Sequence, residues 1–420
     1  MHRDATSIQI MSKAKPIVLV TVRYFLPAFR AGGPVRTLKA MVEYLGATHE
    51  FKILALDRDL GEHSPFPSIR KNEWNQVGLA KVRYFPPNLT LPFCLVRTLR
   101  NTEFNILYLN SFFDPMFTLV PLLARRLGLL PDKPVIVAPR GELSPGALAQ
   151  KRLKKLIFLK IAPFLGLYKN TILHASTELE KGEIEKALAL HRGDLVSVPK
   201  VRVARNLASA DKFEIRIARD MSSAEPAAAN PRKTKAPGKL SAVFISRVSP
   251  KKNLMAAIEM VARVRGDVSL HIYGPIDDSN YWQKCQQAIK QCGDSVRVEY
   301  KGALAHEEVL GTLARYDAFV FPTLGENFGH VILESLLAGC PVVMSDQTPW
   351  RDLPAKHAGW DLPLQAPDRF VEVLQALADM GEAAHRPWRE GANALGMATL
   401  NDERVLGDNQ KLFADLPGGS

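Results

Sequence analysis

The chain is short of several things, and each shortage removes a class of protein. Its 420 residues hold four cysteines, Cys94, Cys285, Cys292 and Cys340, with no C-x-x-C pair and no Cys/His cluster. A zinc site or a disulfide framework is therefore not expected, and a reducing, cytoplasmic setting is. No apolar run reaches the roughly 18 residues of a membrane-spanning helix. Met1 to Pro16 is too polar for the apolar core of an export signal, and Met11 is an alternative start. His306-Glu307-Glu308 lacks the second histidine of a zinc-hydrolase helix. No DNA-binding or RNA-binding motif accompanies the positive charge, so nucleic acid is not an expected partner.

What remains is ordinary globular composition, 46% apolar and 23% charged, in a length that favours two or three domains. The net charge of +12 is unevenly held. Residues 1–200 carry 29 basic and 16 acidic side chains, whereas residues 201–420 carry 26 and 27. Only the first half is thus expected to face an anionic partner.

The most informative stretch is DAFVFPTLGENFGHVILESLLAGCPVVMSD, from Asp317 to Asp346. Phe319 to Phe321 is a short buried-strand pattern broken by Pro322. Phe328, Val331, Ile332, Leu336 and Leu337 have the spacing of a helix with one buried face, which Gly339 stops and Pro341 cannot continue. Pro341 to Met344 is a second buried strand, so the unit reads β-α-β. Within it stand Glu326 and Glu334, which would lie about 12 Å apart along the axis if both were helical. The carboxylates of a glycosidase sit about 5–9.5 Å apart, so these two do not flank one scissile bond. They suit the two ends of one elongated ligand. Between them the N–H groups of Asn327, Phe328 and Gly329 fall at a helix N-terminus, where orphan donors and the dipole favour an anion.

This string resembles the E-x7-E signature of retaining nucleotide-sugar glycosyltransferases of the GT-B fold, in glycosyltransferase family 4. The resemblance implies two Rossmann-like α/β domains facing across a cleft, and transfer of a hexose from a UDP- or GDP-sugar to an acceptor hydroxyl with retention. It implies no metal and no other cofactor. Glu326 would orient the donor sugar and Glu334 would accept from the ribose. Arg247-Val-Ser-Pro-Lys-Lys252-Asn resembles the family's G-R-L-x-x-x-K-G motif, with Ser246 and Asn253 at the glycine positions. Arg247 and Lys252 then neutralise the diphosphate, for which fixed cations are the physical requirement when no metal serves. Asp346-Gln-Thr-Pro-Trp350 resembles a subgroup's S-D-x-T-P-W, and Trp350 is expected to stack or line the cleft.

In the first half, Pro16 to Val22 reads as a strand and Gly32-Gly33-Pro34 opens a helix to Leu45. The matching glycine loop of the relatives faces either donor phosphates or acceptor; a plain strand-to-helix turn is the other reading. Asp57-Arg58-Asp59 resembles the metal-holding D-x-D of another glycosyltransferase fold, but aspartates are also turn formers after strands, and the turn is preferred. Asn110 takes the place where many relatives carry a histidine aimed at the reacting sugar. Pro139-Arg140-Gly-Glu142-Leu-Ser resembles an acceptor-side loop, so Arg140 and Glu142 are acceptor-side candidates or a surface ion pair. Lys151 to Lys160 forms a basic amphipathic helix with Leu153, Leu156, Ile157 and Ile161 on one side. It suits an anionic membrane surface or packs on the domain's own sheet. His174 is expected to be a satisfied core histidine.

The expected organisation is a disordered start at 1–15, an acceptor-side domain at 16–210 and a flexible Ala/Pro/Ser/Lys-rich linker at 211–239. A nucleotide-sugar-binding domain at 240–391 follows, then a helix over 392–412 returning to the first domain and a frayed tail. The subgroup resemblance and the basic half together suggest assembly of a bacterial cell-surface polysaccharide on a lipid-linked acceptor at the inner face of the membrane. A nucleotide-sugar 2-epimerase and a non-catalytic nucleotide-sugar-binding protein are the alternatives; a phosphorylase would need a pyridoxal-phosphate lysine, for which there is no signature.

Overall fold

The computed structural model describes residues 14–149, 152–189, 199–207, 234–293, 296–414 and 416. Residues 1–13 of the expected disordered start, Lys151, most of the expected linker and residues 417–420 of the frayed tail lie outside the described residues. By internal contacts the chain divides into two compact units, one of residues 1–138, 166–173 and 413–420, the other of residues 139–165 and 174–412.

Two sheets organise the chain. The first holds β1 (Ile17–Thr21), β2 (Glu50–Leu56), β3 (Trp74–Val77), β4 (Ala80–Phe85), β5 (Ile106–Leu109), β6 (Val135–Val137), β7 (Thr171–Ala175) and β8 (Lys200–Val203). Their order is β3-β4-β2-β1-β5-β6-β7-β8. The assigned pairings are parallel except β3 on β4, an antiparallel edge that the sequence did not announce. The second sheet holds β9 (Lys239–Ile245), β10 (Asp267–Tyr273), β11 (Val296–Tyr300), β12 (Ala318–Phe321), β13 (Val342–Ser345) and β14 (Gly359–Leu362), in the order β11-β10-β9-β12-β13-β14. All its pairings are parallel. From β9 onward this is the strand order of a doubly wound Rossmann sheet.

Parallel strands covered on both faces read as unbroken apolar runs, and these do. Val18, Leu19 and Val20 of β1 and Phe319, Val320 and Phe321 of β12 have no exposed surface. Each such side chain contributes about 1.5–3 kcal/mol relative to exposure, so Phe321→Ala would cost about 3–5 kcal/mol. The β12–β13 crossover is the helix His330–Leu337, against which the long helix Glu382–Leu400 lies. Gly396 permits the approach, since a Cβ there would come within 2.7 Å of the Leu337 nitrogen, and Asn393 Nδ2 donates to Leu337 O at 2.7 Å.

The single helix expected over 392–412 is instead two, Glu382–Leu400 and Glu403–Ala414, with Asp402 accepting from the Arg404 amide at the break. In the first unit, Phe413 is buried among His49, Phe51 and Tyr108, with ring centroids 5.5–6.4 Å apart. No helix among the described residues is long and apolar enough to cross a membrane.

Candidate active site

In an open parallel sheet, ligands bind outside the carboxyl ends of the strands where the winding direction reverses. In the second sheet that point lies between β9 and β12, so the loops 246–253 and 322–329 become neighbours. They are stitched together. Leu324 N and Thr323 Oγ1 donate to Lys251 O at 2.9 and 3.2 Å, and Asn253 Nδ2 donates to Pro322 O at 2.9 Å. Asn253 closes a short turn at Pro250–Lys252 in the left-handed region, φ 58°, which asparagine tolerates.

Glu326 is not helical. Its amide donates to Gln347 O at 3.0 Å, and the helix starts only at His330, after Gly325 at φ 153° and Gly329 at φ 78°. The 12 Å helical spacing to Glu334 therefore does not apply: apolar periodicity cannot locate a start that two glycines postpone. Gly329 is required there, because a Cβ would meet Ile332 Cδ1 at 2.6 Å in a backbone conformation that side chains rarely adopt. The Glu326 carboxylate pairs with the Lys252 ammonium, both side chains being under 15% exposed, and accepts from Thr323 Oγ1 at 3.2 Å. Lys252 also lies over the Phe321 ring.

Among the described residues the amides of Asn327, Phe328 and Gly329 donate to nothing. Three consecutive unpaired N–H groups beside a helix N-terminus form an anion cradle. Its far side is fixed by Trp350, whose Nε1 donates to Phe328 O at 2.6 Å and whose ring lies 5.8 Å from that of Phe328. Trp350 is thus a buried support for the loop. Glu334 is buried on the helix, with His306 Nδ1 at 3.8 Å. Arg247 pairs with Asp277 at 3.0 Å, both near 40% exposed. An exposed pair of this kind is worth about 0–1 kcal/mol, so Arg247 can turn to a phosphate at small cost.

A cavity of about 260 Å³ opens beside Glu326 and Asn327 and is closed by Gly141, Ser144, Glu183 and Lys251, among others. Arg247, Phe328, Gly329 and Glu334 do not line it. Its other wall is held by Glu180, a buried carboxylate that accepts from Gly141 N at 2.6 Å, Ser176 N at 2.7 Å and Ser176 Oγ at 2.6 Å. Ser176 Oγ also hydrogen-bonds the Asn327 side chain. Gly141, at φ 73°, packs so closely that a Cβ would lie 3.3 Å from Asn327 Cβ. Burial and the neighbouring Glu180 push the Glu183 carboxyl up to about 7. Burial lowers the Lys251 ammonium below its ordinary value.

The other sequence candidates are placed as follows. Arg140, at φ 54°, donates through Nη1 to Asn206 Oδ1 at 2.6 Å; neither it nor Glu142 lines the cavity. His174 is buried, with Nε2 2.7 Å from Ala204 O, and burial and the Arg140 charge hold its pKa down to about 3, as a satisfied core histidine requires. In the first unit, Gly32 takes φ 73° ahead of the helix Gly33–Leu45. Asn110 is buried at the end of β5 with its amide on Thr21 O at 3.0 Å. Asp59 accepts from Phe29 N, Arg30 N and Leu60 N at 2.7–3.1 Å, and Asp57 pairs with Arg58, so the D-x-D is a turn.

Sequence reasoning passed over Lys251, Ser176, Glu180 and Glu183. Thr177-Glu-Leu-Glu180 does carry a signal: Thr177 Oγ1 caps the Glu180 amide at 3.0 Å, a pattern that fixes where that helix begins.

Residues 228–393 match the family described as "Glycosyl transferases group 1". The O-antigen chain mannosyltransferase B of Escherichia coli is 27% identical over 163 residues, 37% of this chain and 40% of that protein. The chain thus matches less than half the length of that relative. Among solved structures, Anabaena HepE in complex with UDP and glucose superposes with a TM-score of 0.62 at 16% identity, over 94% of this chain and 98% of the other. WaaG, a glycosyltransferase involved in lipopolysaccharide biosynthesis, gives a TM-score of 0.60 at 13% identity over 96% and 100%. The chain has the two-sheet architecture of the GT-B glycosyltransferases it superposes on, and its residues 228–393 are similar to the group 1 glycosyl transferases.

Proposed function

We propose that the chain is a retaining, metal-independent hexosyltransferase that takes a UDP- or GDP-sugar and glycosylates a lipid-linked acceptor in cell-surface polysaccharide assembly. The observation that carries this reading is the division of labour around Glu326. On one side lies a cavity of about 260 Å³, slightly below the roughly 300–1,000 Å³ of pockets for larger ligands and so suited to one sugar ring. Next to it lie the unpaired 327–329 amides, with Lys252 and Arg247 available for a diphosphate. Glu334 then meets the ribose. Glu326 and its Lys252 partner orient the donor, and the cations with the amides stabilise the departing diphosphate as its charge develops. HepE, solved with UDP and glucose, and the O-antigen mannosyltransferase lend support to the donor and product classes.

The helix Arg152–Phe164 supports a place at the inner face of the membrane. Its inward side buries Leu159 and Ala162, while Leu153 is 72% exposed, Phe164 80%, and Ile157 and Ile161 about half, beside exposed Arg152, Lys154 and Lys160. An apolar stripe in a basic setting is the pattern of an interfacial helix, and packing on the protein's own sheet leaves this stripe uncovered.

A thermal-shift panel of UDP, GDP and their hexose conjugates, run in EDTA, tests the donor. A conjugate at a hundred times its Kd should add about 2.7 kcal/mol of stability, and no shift from a folded sample rejects the donor site. The anomeric configuration of the product, read by NMR, tests retention. Sedimentation with phosphatidylglycerol vesicles, abolished by Lys154→Glu with Ile157→Ser, tests the membrane contact.

A further inference from the structure

Two side chains in the cavity have no role in the reading above. Glu183 follows Glu180 by one turn on the helix Glu178–Ala189, so both lie on one face. Glu180 accepts three hydrogen bonds, whereas the Glu183 carboxylate has no hydrogen bond or ion pair among the described residues. Lys251 stands opposite. Its carbonyl is pinned by Thr323 and Leu324, which holds its backbone in place, and its ammonium makes no hydrogen bond or ion pair among the described residues, although the Glu326 and Glu183 charges act on it. Both line the cavity, and both are partly desolvated. Charges taken from water without a partner are costly unless a ligand completes them. Here two of opposite sign share one sugar-sized space.

We propose that Lys251 and Glu183 read the hydroxyls of the sugar ring held in this cavity and make the site selective for a neutral hexose. A hydroxyl can accept from the ammonium and donate to the carboxylate, so one ring satisfies both. A uronic acid would add a negative charge to a cavity lined by four carboxylates, Glu180, Glu183, Glu326 and Asp346, against two cations, Lys251 and Arg351. A deoxysugar would leave one of the two charges unpaired, which is how polar sites reject analogues most strongly.

This inference rests on the nucleotide-sugar reading, and the test separates the two. Isothermal titration compares wild type, Lys251→Met and Glu183→Gln against UDP, GDP, UDP-glucose, GDP-mannose and UDP-glucuronic acid. Each variant should bind the accepted hexose conjugate at least tenfold more weakly while binding the bare nucleoside diphosphate within twofold of wild type, which also shows that it is folded. For a UDP-dependent protein, wild type should prefer UDP-glucose to UDP-glucuronic acid by at least tenfold. Unchanged conjugate affinity in both variants, or an equal loss for conjugate and bare nucleotide, overturns the inference and leaves the donor site standing. Failure of wild type to bind any nucleoside diphosphate overturns both.

Discussion

The two sheets repeat one topology, yet their switch points are chemically opposite. At the first, between β1 and β5, the loop amides of Phe29 and Arg30 are taken by the Asp59 carboxylate and the Asn110 amide by Thr21 O. At the second, the 327–329 amides are left over, and Lys252, Lys251 and Arg247 gather on the facing loop. The basic excess of the sequence does not follow this division, since it belongs to residues 1–200. Net charge therefore does not single out the second switch point, whereas hydrogen-bonding capacity that the fold leaves unspent does.

The contrast breaks if the first switch point carries the donor. Lys252→Ala is expected to lower kcat about 10²–10³-fold, the usual cost of removing one preorganised charge partner, while Asp59→Asn leaves donor affinity within twofold; steady-state kinetics and titration check both. A second difference is in acid response. His174, at about 3 in the folded chain against 6.5 as its ordinary value, is protonated first in the unfolded chain. Its contribution is complete above pH 6.5 and is lost as pH falls towards 3, so urea unfolding should show about 2 kcal/mol lost between pH 6.5 and 4.5, flattened by His174→Gln.

Gly329→Ala is expected to cost about 1–2 kcal/mol from its positive φ and to weaken bare nucleoside diphosphate binding by displacing the amide cradle. Equal losses in Gly32→Ala would erase the distinction between the loops. The smallest effect belongs to Glu183. Its folded pKa of about 7 lies above the ordinary 4.5, so ionisation destabilises the fold as pH rises from 4.5 through 7. Glu183→Gln should therefore stabilise above pH 7 by about 1 kcal/mol, after allowing for the screening of a half-exposed group, and leave stability at pH 4 unchanged.

Much of this was legible beforehand. Apolar runs such as Val18–Val20 and Phe319–Phe321 located the buried strands because a parallel sheet demands them. Gly-Glu-Asn-Phe-Gly and Arg247 to Lys252 pointed to two loops that the fold does bring together, because turn residues and fixed cations are local in sequence. Three things were not legible. Glycine conformations at 325 and 329 delay the helix, and periodicity carries no trace of them. Trp74–Val77 is a half-exposed edge strand without a clear alternation. Glu183 and Lys251 face one cavity from segments far apart in the chain, a juxtaposition that only the fold creates.

Phe413 gives the architecture a temporal side. A ribosome delivers Phe51 and Tyr108 early, but the ring that covers them comes from the helix Glu403–Ala414, after the whole second sheet has been made. The nascent first unit must wait with an aromatic seam open to solvent, a state prone to association and to capture by chaperones. Closure of that seam reports that synthesis has passed residue 413.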